Sequence, residues 1–207
     1  MIPMTPEISL YDVWLLWAVS WLVASIWASR AQSRLGFGPE AAYRILTITG
    51  FVLLFFSGPR LASSPGVHVW RLPLAPTLAG PLWSLPDAAG WAMVGLAVSG
   101  VLFAWWARIH LGALWSGSIT RKADHRIVDT GPYGIVRHPI YTGLIAAALA
   151  LAVVKASPVA LAGLALMTIG YWLKGKMEEN FLRSELGPDD YDAYRKRVPM
   201  LIPFFPA

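Results

Sequence analysis

Cysteine is absent from the 207-residue chain, which excludes disulfide frameworks, zinc–thiolate sites and cysteine nucleophiles together. Charged residues are also scarce, at 14% of the chain, whereas hydrophobic residues make up 56%. A soluble core cannot bury that share of apolar surface, and the composition is typical of membrane proteins. The sequence therefore predicts a membrane protein that has no disulfide scaffold.

Basic residues are missing from the N-terminal stretch "MIPMTPEISLYD", which contains Glu7 and Asp12 but no Lys or Arg. This flank lacks the basic region of a secretory signal peptide, so we expect the first apolar segment to be retained as a membrane span. The net charge of +5 is explained by basic residues that flank membrane spans. No basic run alternates with aromatic residues on a polar segment, and no nucleic-acid partner is predicted.

Five apolar runs approach the roughly 20 residues that cross a bilayer as a helix. They cover residues 10–28, 43–57, 90–107, 139–154 and 158–173. The connection 153–158 is very tight, so the last two runs are predicted to form a helical hairpin. The prediction is an all-α, polytopic membrane protein with about five transmembrane helices in a single domain, residues 1–207.

The distribution of basic residues predicts an orientation. With the N-terminus outside and the C-terminus inside, all but three of the 17 Lys and Arg residues lie on the cytoplasmic side. The exceptions are Arg60, Arg71 and Lys155. The external segment 58–89 is rich in Pro and Gly and is predicted to form an irregular cap with interfacial tryptophans. The cytoplasmic side receives the loop 108–138 and a helical C-terminal tail from residue 174 onward.

The loop ends in "GPYGIVRHPIYTG", where Pro139 suits the first turn of the next helix. Backbone N–H groups at that helix start, together with Arg137 and His138, predict an anion site at the membrane boundary. The alternative is that Arg137 and His138 only flank a span, with Tyr133 and Tyr141 as interfacial anchors.

The fifth run continues into "YWLKGKMEENFLRSELGPDDYDAYRKRV", which places Glu178 and Glu179 about one turn beyond the membrane edge. Paired carboxylates can bind ribose hydroxyls, neutralise a cation or act as a base. A solvated tail with Glu179 and Arg183 as an i,i+4 pair also accounts for the charges. It does not account for Tyr191, Tyr194 and the apolar ending "VPMLIPFFPA", which are predicted to fold back and cover the membrane face of the site.

Three blocks carry a family resemblance: "LGALWSGSI", "HRIVDTGPYGIVRHPIYTG" and "EENFLRSELGPDDYDAYRKRVPMLIP". In this order and at these distances they resemble the C-terminal half of the isoprenylcysteine carboxyl methyltransferase and phospholipid methyltransferase superfamily, over residues 109–203. The resemblance implies a catalytic core at about 108–203 that uses S-adenosylmethionine without a Rossmann domain, and no GxGxxG motif follows a strand-like segment here. By the same resemblance, the cofactor contacts fall on these residues: His125, Gly131, Tyr133, Arg137, His138, Tyr141, Glu178 and Glu179.

The methyl acceptor implied by the resemblance is a lipophilic molecule that enters from the bilayer. A carboxylate of a prenylcysteine-like or isoprenoid molecule arrives already ionised, and Arg108 and Lys174 are the basic residues at the membrane edge that would bind it. A lipid amine or a thiol would need a proton removed, and Glu179 is the nearest candidate base. Whether the protein acts as a monomer or a homodimer stays open.

Two other readings remain. Sterol and steroid reductases that use NADPH resemble this family in their C-terminal spans and have a block similar to RHPxY. In those proteins Asn commonly follows the Pro of the block, and an acidic residue commonly follows the later Gly. This chain has Ile140 and Leu144 at these two positions. The other reading is a non-catalytic membrane scaffold. The recurring Trp14, Trp17, Trp21 and Trp27 fit a packing or lipid-facing stripe, whereas Trp115 lies in a matched block and is expected to line the acceptor entrance. No metal site is predicted, because the single histidines have no partner at ligand spacing.

Overall fold

The computed structural model describes residues 4–27, 33–34, 37–56, 78, 80–121 and 127–205. Within these ranges lie five long helices and a sixth, shorter one. They are α1 (Pro6–Ala24), α2 (Phe37–Phe56), α3 (Asp87–Leu111), α4 (Pro139–Lys155), α5 (Pro158–Leu186) and α6 (Pro188–Arg197). Each predicted apolar run is therefore a helix, and the fold is helical as predicted.

Four of the helices, α1, α2, α3 and α5, are long and apolar enough to cross a membrane. The fifth, α4, is apolar but has only 17 residues. Apolar side chains that are exposed on the outer helices, such as Leu22 at 75% and Ile48 at 64%, face the surroundings instead of the core. This is the surface that a hydrocarbon environment requires, and these features are those of an integral membrane protein.

The predicted hairpin between the last two runs is confirmed. Ala156 follows α4 in the left-handed conformation, with φ 51°, and its N–H donates to the Ala152 carbonyl. Ser157 then caps α5, because its hydroxyl accepts a hydrogen bond from the Ala160 N–H (3.1 Å), and Pro158 occupies the first helical position. The chain reverses direction within these three residues.

Small residues bring the helices of the bundle into backbone contact. A Cβ atom on Gly143 of α4 would lie 2.2 Å from the Gly100 carbonyl oxygen of α3. A Cβ atom on Gly50 of α2 would lie 2.7 Å from the Gly163 carbonyl oxygen of α5. Close approach through small residues is typical of helices that pack in membranes. The α3–α4 and α2–α5 contacts hold these four helices together in the bundle.

A short antiparallel pairing departs from the purely helical prediction. Strand β1 (Ser33–Arg34) pairs with β2 (Thr120–Arg121), with Ser33 opposite Arg121. The pairing joins the α1–α2 connection to the loop after α3. The predicted cap at 58–89 lies largely outside the described residues.

Candidate active site

A cavity of about 300 Å³ opens among the ends of α1, α3, α4, α5 and α6. One part of its lining is polar and consists of Tyr133, Arg137, His138, Tyr141, Lys174 and Glu178. The other part is apolar and includes Trp17, Trp21, Leu111, Trp115, Leu144 and Tyr171. Ligand cavities commonly combine an apolar wall with a few convergent polar groups in this way.

Glu179 contacts Arg137 and His138, the two residues that precede α4. Its Oε1 accepts a hydrogen bond from Nε of Arg137 (2.8 Å) and lies 3.2 Å from Nε2 of His138. All three side chains are buried, with Glu179 exposed by 2%. The other carboxylate oxygen, Oε2, is buried without a hydrogen-bond partner in the described residues, and Nε of Arg195 lies 3.7 Å from it. The cluster fixes both residues against α5.

The C-terminal segment pairs with the backbone at this point. The N–H of Arg137 donates to the Pro199 carbonyl (2.8 Å) and the N–H of His138 to the Met200 carbonyl (3.1 Å). Nη1 of Arg137 also donates to the carbonyls of Arg195 (2.9 Å) and Val198. The backbone amides of Arg137 and His138 are therefore not available to the anion site predicted at the start of α4, because they already donate to carbonyls of the folded-back tail.

Tyr141, Glu178 and Lys174 form the polar wall. The Tyr141 hydroxyl donates to the Glu178 carboxylate, with both oxygens at 2.8 Å. Nζ of Lys174 lies 3.8 Å from Glu178 and donates to the Gly117 carbonyl (2.9 Å). The Tyr141 ring lies between two others, stacked on His138 (centroids 5.3 Å apart) and on Tyr171 (5.1 Å). This wall offers a carboxylate, which binds cations, and its orientation is fixed by the Tyr141 hydroxyl.

Tyr133 lies in the 3₁₀ turn Gly131–Gly134, which is anchored from two directions. Its carbonyl accepts a hydrogen bond from the Tyr194 hydroxyl (2.8 Å), and its ring lies over His110. Gly131 has φ 58°, and a Cβ atom there would come within 2.9 Å of the His110 ring. Burial raises the pKa of the Tyr194 hydroxyl, which stays a donor throughout the physiological range.

The apolar end of the cavity is built from tryptophans. The Trp21 ring meets Trp115 edge to face (5.7 Å) and also meets Trp105 (5.3 Å). The Arg108 guanidinium lies 4.5 Å from the Trp115 ring centroid and donates to the carbonyls of Ala24 (2.7 Å) and Gly112 (2.8 Å). Arg108 thus ties the end of α1 to the end of α3 and supports Trp115.

The predicted site residues fall into three groups. Tyr133, Arg137, His138, Tyr141, Lys174 and Glu178 line the cavity together. Glu179, Gly131 and Arg108 contact the cavity wall but are not part of its lining. His125 lies outside the described residues. The proposed pair of Glu179 with Arg183 is wrong, because Arg183 binds Asp192 (2.8 Å) on α6 instead.

The sequence analysis missed several lining residues. Trp17 and Trp21 were assigned to a packing or lipid-facing stripe, yet their i,i+4 spacing places both on the cavity side of α1. Tyr171 carried no signal because it lies inside an apolar run. The folded-back role of Tyr191 and Tyr194 is confirmed, since both are buried and line the cavity.

A buried carboxylate also supports the wall from behind. Glu40 of α2, exposed by 2%, accepts hydrogen bonds from the Tyr43 hydroxyl (2.7 Å) and the Ile119 N–H (2.9 Å) and is paired with Arg44. It fixes the segment 116–119, which lines the cavity.

No group of His, Asp and Glu in the described part of the chain could hold a metal ion.

Part of the chain is similar to a known protein family. Residues 93–184 match the model of the isoprenylcysteine carboxyl methyltransferase (ICMT) family, which confirms the predicted resemblance to membrane methyltransferases of this type. The matched region contains α4, the loop before it and Glu178 and Glu179. Neither the family match nor the relatives support the reductase alternative.

Two curated relatives are similar over the same part of the chain. Protein-S-isoprenylcysteine O-methyltransferase B of Arabidopsis thaliana is 30% identical over 87 residues, which are 42% of this chain and 44% of the relative. Protein-S-isoprenylcysteine O-methyltransferase of Schizosaccharomyces pombe is 36% identical over 87 residues, which are 42% of this chain and 36% of the relative. The aligned part is thus less than half of either relative.

Proposed function

We propose that the chain transfers the methyl group of S-adenosylmethionine to a lipophilic acceptor at the cytoplasmic membrane face, with the carboxylate of a prenylcysteine-like or isoprenoid molecule as the acceptor. The observation that carries the proposal is the two-part cavity, in which Glu178 and His138 lie at one end and Trp21 and Trp115 at the other. A charged cofactor and an apolar acceptor need such neighbouring environments. The family match and the names of both relatives agree with it.

The donor set suits S-adenosylmethionine. When bound, this cofactor supplies a methyl group on a positively charged sulfonium. The Glu178 carboxylate favours a cation at the polar part of the cavity. Glu178 is 20% exposed, so a carboxylate oxygen can also accept from a ribose hydroxyl. The buried Tyr191 and Tyr194 of α6 cover part of the cavity.

Lys174 is better placed than Arg108 to bind an acceptor carboxylate. Its ammonium lies in the cavity lining, 5.3 Å from the Tyr141 ring centroid. Arg108 is buried outside the lining, and two of its nitrogens donate to the carbonyls of Ala24 and Gly112. An ionised carboxylate needs orientation and no base. Glu179, the candidate base for an amine or thiol, is engaged with Arg137 and His138, which favours the carboxylate acceptor.

The cytoplasmic orientation is supported by the position of the cavity. Lys174, Arg137 and the basic last turn of α6 all lie at the same end of the helices. Loops rich in Lys and Arg remain in the cytoplasm during membrane insertion. A water-borne cofactor would reach the cavity from that side.

The first test is isothermal titration of the detergent-purified protein with S-adenosylhomocysteine and, separately, with NADPH. We expect binding of the first ligand only, and its loss in Glu178→Gln. Asp189→Asn is the matched control, because it makes the same carboxylate-to-amide change on the exposed surface of α6. Transfer of a labelled methyl group to a farnesylated cysteine then tests the acceptor. Binding of NADPH, or of neither ligand, contradicts the proposal.

A further inference from the structure

The last described residues form an exposed apolar turn beside the cavity. Ile202, Phe204 and Phe205 are exposed by 61%, 98% and 62%. The Phe205 N–H donates to the Ile202 carbonyl (3.3 Å), and Phe204 adopts φ 62°, a region that residues other than glycine rarely occupy. The turn 202–205 thus presents three large apolar side chains to whatever surrounds the protein at this level.

The turn lies beside the start of α4. The Thr142 hydroxyl, in the first turn of α4, donates to the Leu201 carbonyl (2.6 Å). The 17 residues of α4 extend about 25 Å, which is shorter than a hydrocarbon core of roughly 30 Å. At least one end of so short a helix would lie within the hydrocarbon of a bilayer, and rings exposed beside its first turn suit the zone where lipid headgroups meet acyl chains.

Positive charge adjoins the same turn. Lys196 and Arg197 line a groove of about 430 Å³ together with Phe204, Phe205 and Pro199. Arg197 forms an exposed ion pair with Asp129 (3.2 Å), and pairs of this kind add little to stability. A phosphate can therefore compete with Asp129 for the guanidinium.

We infer that the turn 202–205 and the last turn of α6 form a binding site for an anionic phospholipid of the surrounding bilayer. The phosphate lies between Lys196 and Arg197, and the rings of Phe204 and Phe205 enter the acyl-chain boundary. Apolar rings beside a basic cluster are the pattern that binds such surfaces. Each cationic residue near an anionic surface raises affinity about fivefold.

The lipid contact continues into the cavity wall. The carbonyls of Pro199 and Met200, directly before the turn, accept from the N–H groups of Arg137 and His138. Anionic lipid that stabilises the turn 202–205 also stabilises these two backbone hydrogen bonds. The consequence, which rests on the proposed function, is tighter cofactor binding in anionic bilayers than in neutral ones.

The absence of cysteine makes the site directly measurable. Phe204→Cys places a single thiol at a fully exposed position, and a nitroxide label there reports contact with oxygen, which concentrates in hydrocarbon, or with a water-soluble nickel complex. The protein is reconstituted in nanodiscs of phosphatidylcholine with increasing phosphatidylglycerol. Ser184→Cys, exposed at the end of α5, is the matched control. Glycerol phosphate added to neutral nanodiscs separates free phosphate from lipid.

We expect the label at residue 204 to lose contact with the nickel complex as phosphatidylglycerol increases, whereas the label at residue 184 does not change. Lys196→Gln with Arg197→Gln should require a several-fold higher phosphatidylglycerol fraction for the same change. The inference is overturned if residue 204 stays as accessible to nickel as residue 184, if the change does not depend on anionic lipid, or if glycerol phosphate produces it. None of these accessibility measurements depends on methyl transfer.

Discussion

Nε of Arg137 and Oε1 of Glu179 are 2.8 Å apart although the two residues are 42 positions apart in sequence, and both side chains are almost fully buried. The pair joins the loop before α4 to α5. Because a buried charge without its partner is costly, Glu179 stabilises the folded site whether or not it touches a ligand.

Glu179→Ala should lower the free energy of unfolding by about 3–5 kcal/mol, since it leaves the Arg137 guanidinium buried and uncompensated. Thermal unfolding in detergent measures this change. Glu178→Gln is the comparison, because Glu178 is more exposed and should affect ligand binding more than stability. Equal loss of stability in both variants would contradict the distinction.

Tyr141→Phe should weaken binding of S-adenosylhomocysteine by roughly tenfold or more. The substitution removes the hydroxyl that donates to the Glu178 carboxylate but keeps the stacked ring, and a hydrogen bond to a charged group contributes about 1.5–3 kcal/mol. Titration calorimetry gives the affinity. Unchanged affinity would show that the orientation of Glu178 does not matter for the cofactor.

Trp21→Ala should raise the KM for a farnesylated acceptor and leave the affinity for S-adenosylhomocysteine unchanged. Trp21 belongs to the apolar part of the cavity lining and contacts Trp115, whereas Glu178 belongs to the polar part. Steady-state kinetics with the acceptor varied provides the measurement. Trp91→Ala is the matched control, because Trp91 lies on α3 and is 45% exposed outside the cavity lining.

Gly143→Ala should destabilise the protein by about 1–3 kcal/mol, because the added methyl group would collide with the Gly100 carbonyl at the α3–α4 contact. Gly95→Ala on α3 is the control, since no atom lies within 4 Å of a Cβ atom there. Thermal unfolding of the two variants compares them. A Gly143→Ala protein as stable as Gly95→Ala would mean that α3 and α4 can separate without cost.

The sequence predicted the helices well because each is a contiguous apolar run. Pro139 and Pro158 mark the starts of α4 and α5 where proline is favoured. The ends of α2 and α5 were placed less well. The predicted run 43–57 misses the first turn of α2, where the polar Glu40 is buried by hydrogen bonds that local composition does not reveal.

The sequence predicted which motifs form the candidate site, but it did not predict which of their residues contact each other. The "RHPIY" block and the two glutamates were expected to lie on either side of a cofactor, and in the structure His138 and Tyr141 contact Glu179 and Glu178 directly. The tail's use of the Arg137 and His138 amides could not be foreseen, because it depends on backbone pairing between segments about 60 residues apart. The position of Trp21 depends in the same way on how α1 packs against α3.

The backbone pairing of Arg137 and His138 with Pro199 and Met200 also sets an order of events during synthesis. The bundle helices α1 to α5 are translated and can enter the membrane before residues 199–200 exist. Until these residues leave the ribosome, the two amides have no carbonyl partners and the polar end of the cavity lacks one wall. On the proposed function, a nascent chain stalled before residue 199 would therefore be inserted but would lack part of the cofactor site, so the site is completed as one of the last steps of biogenesis.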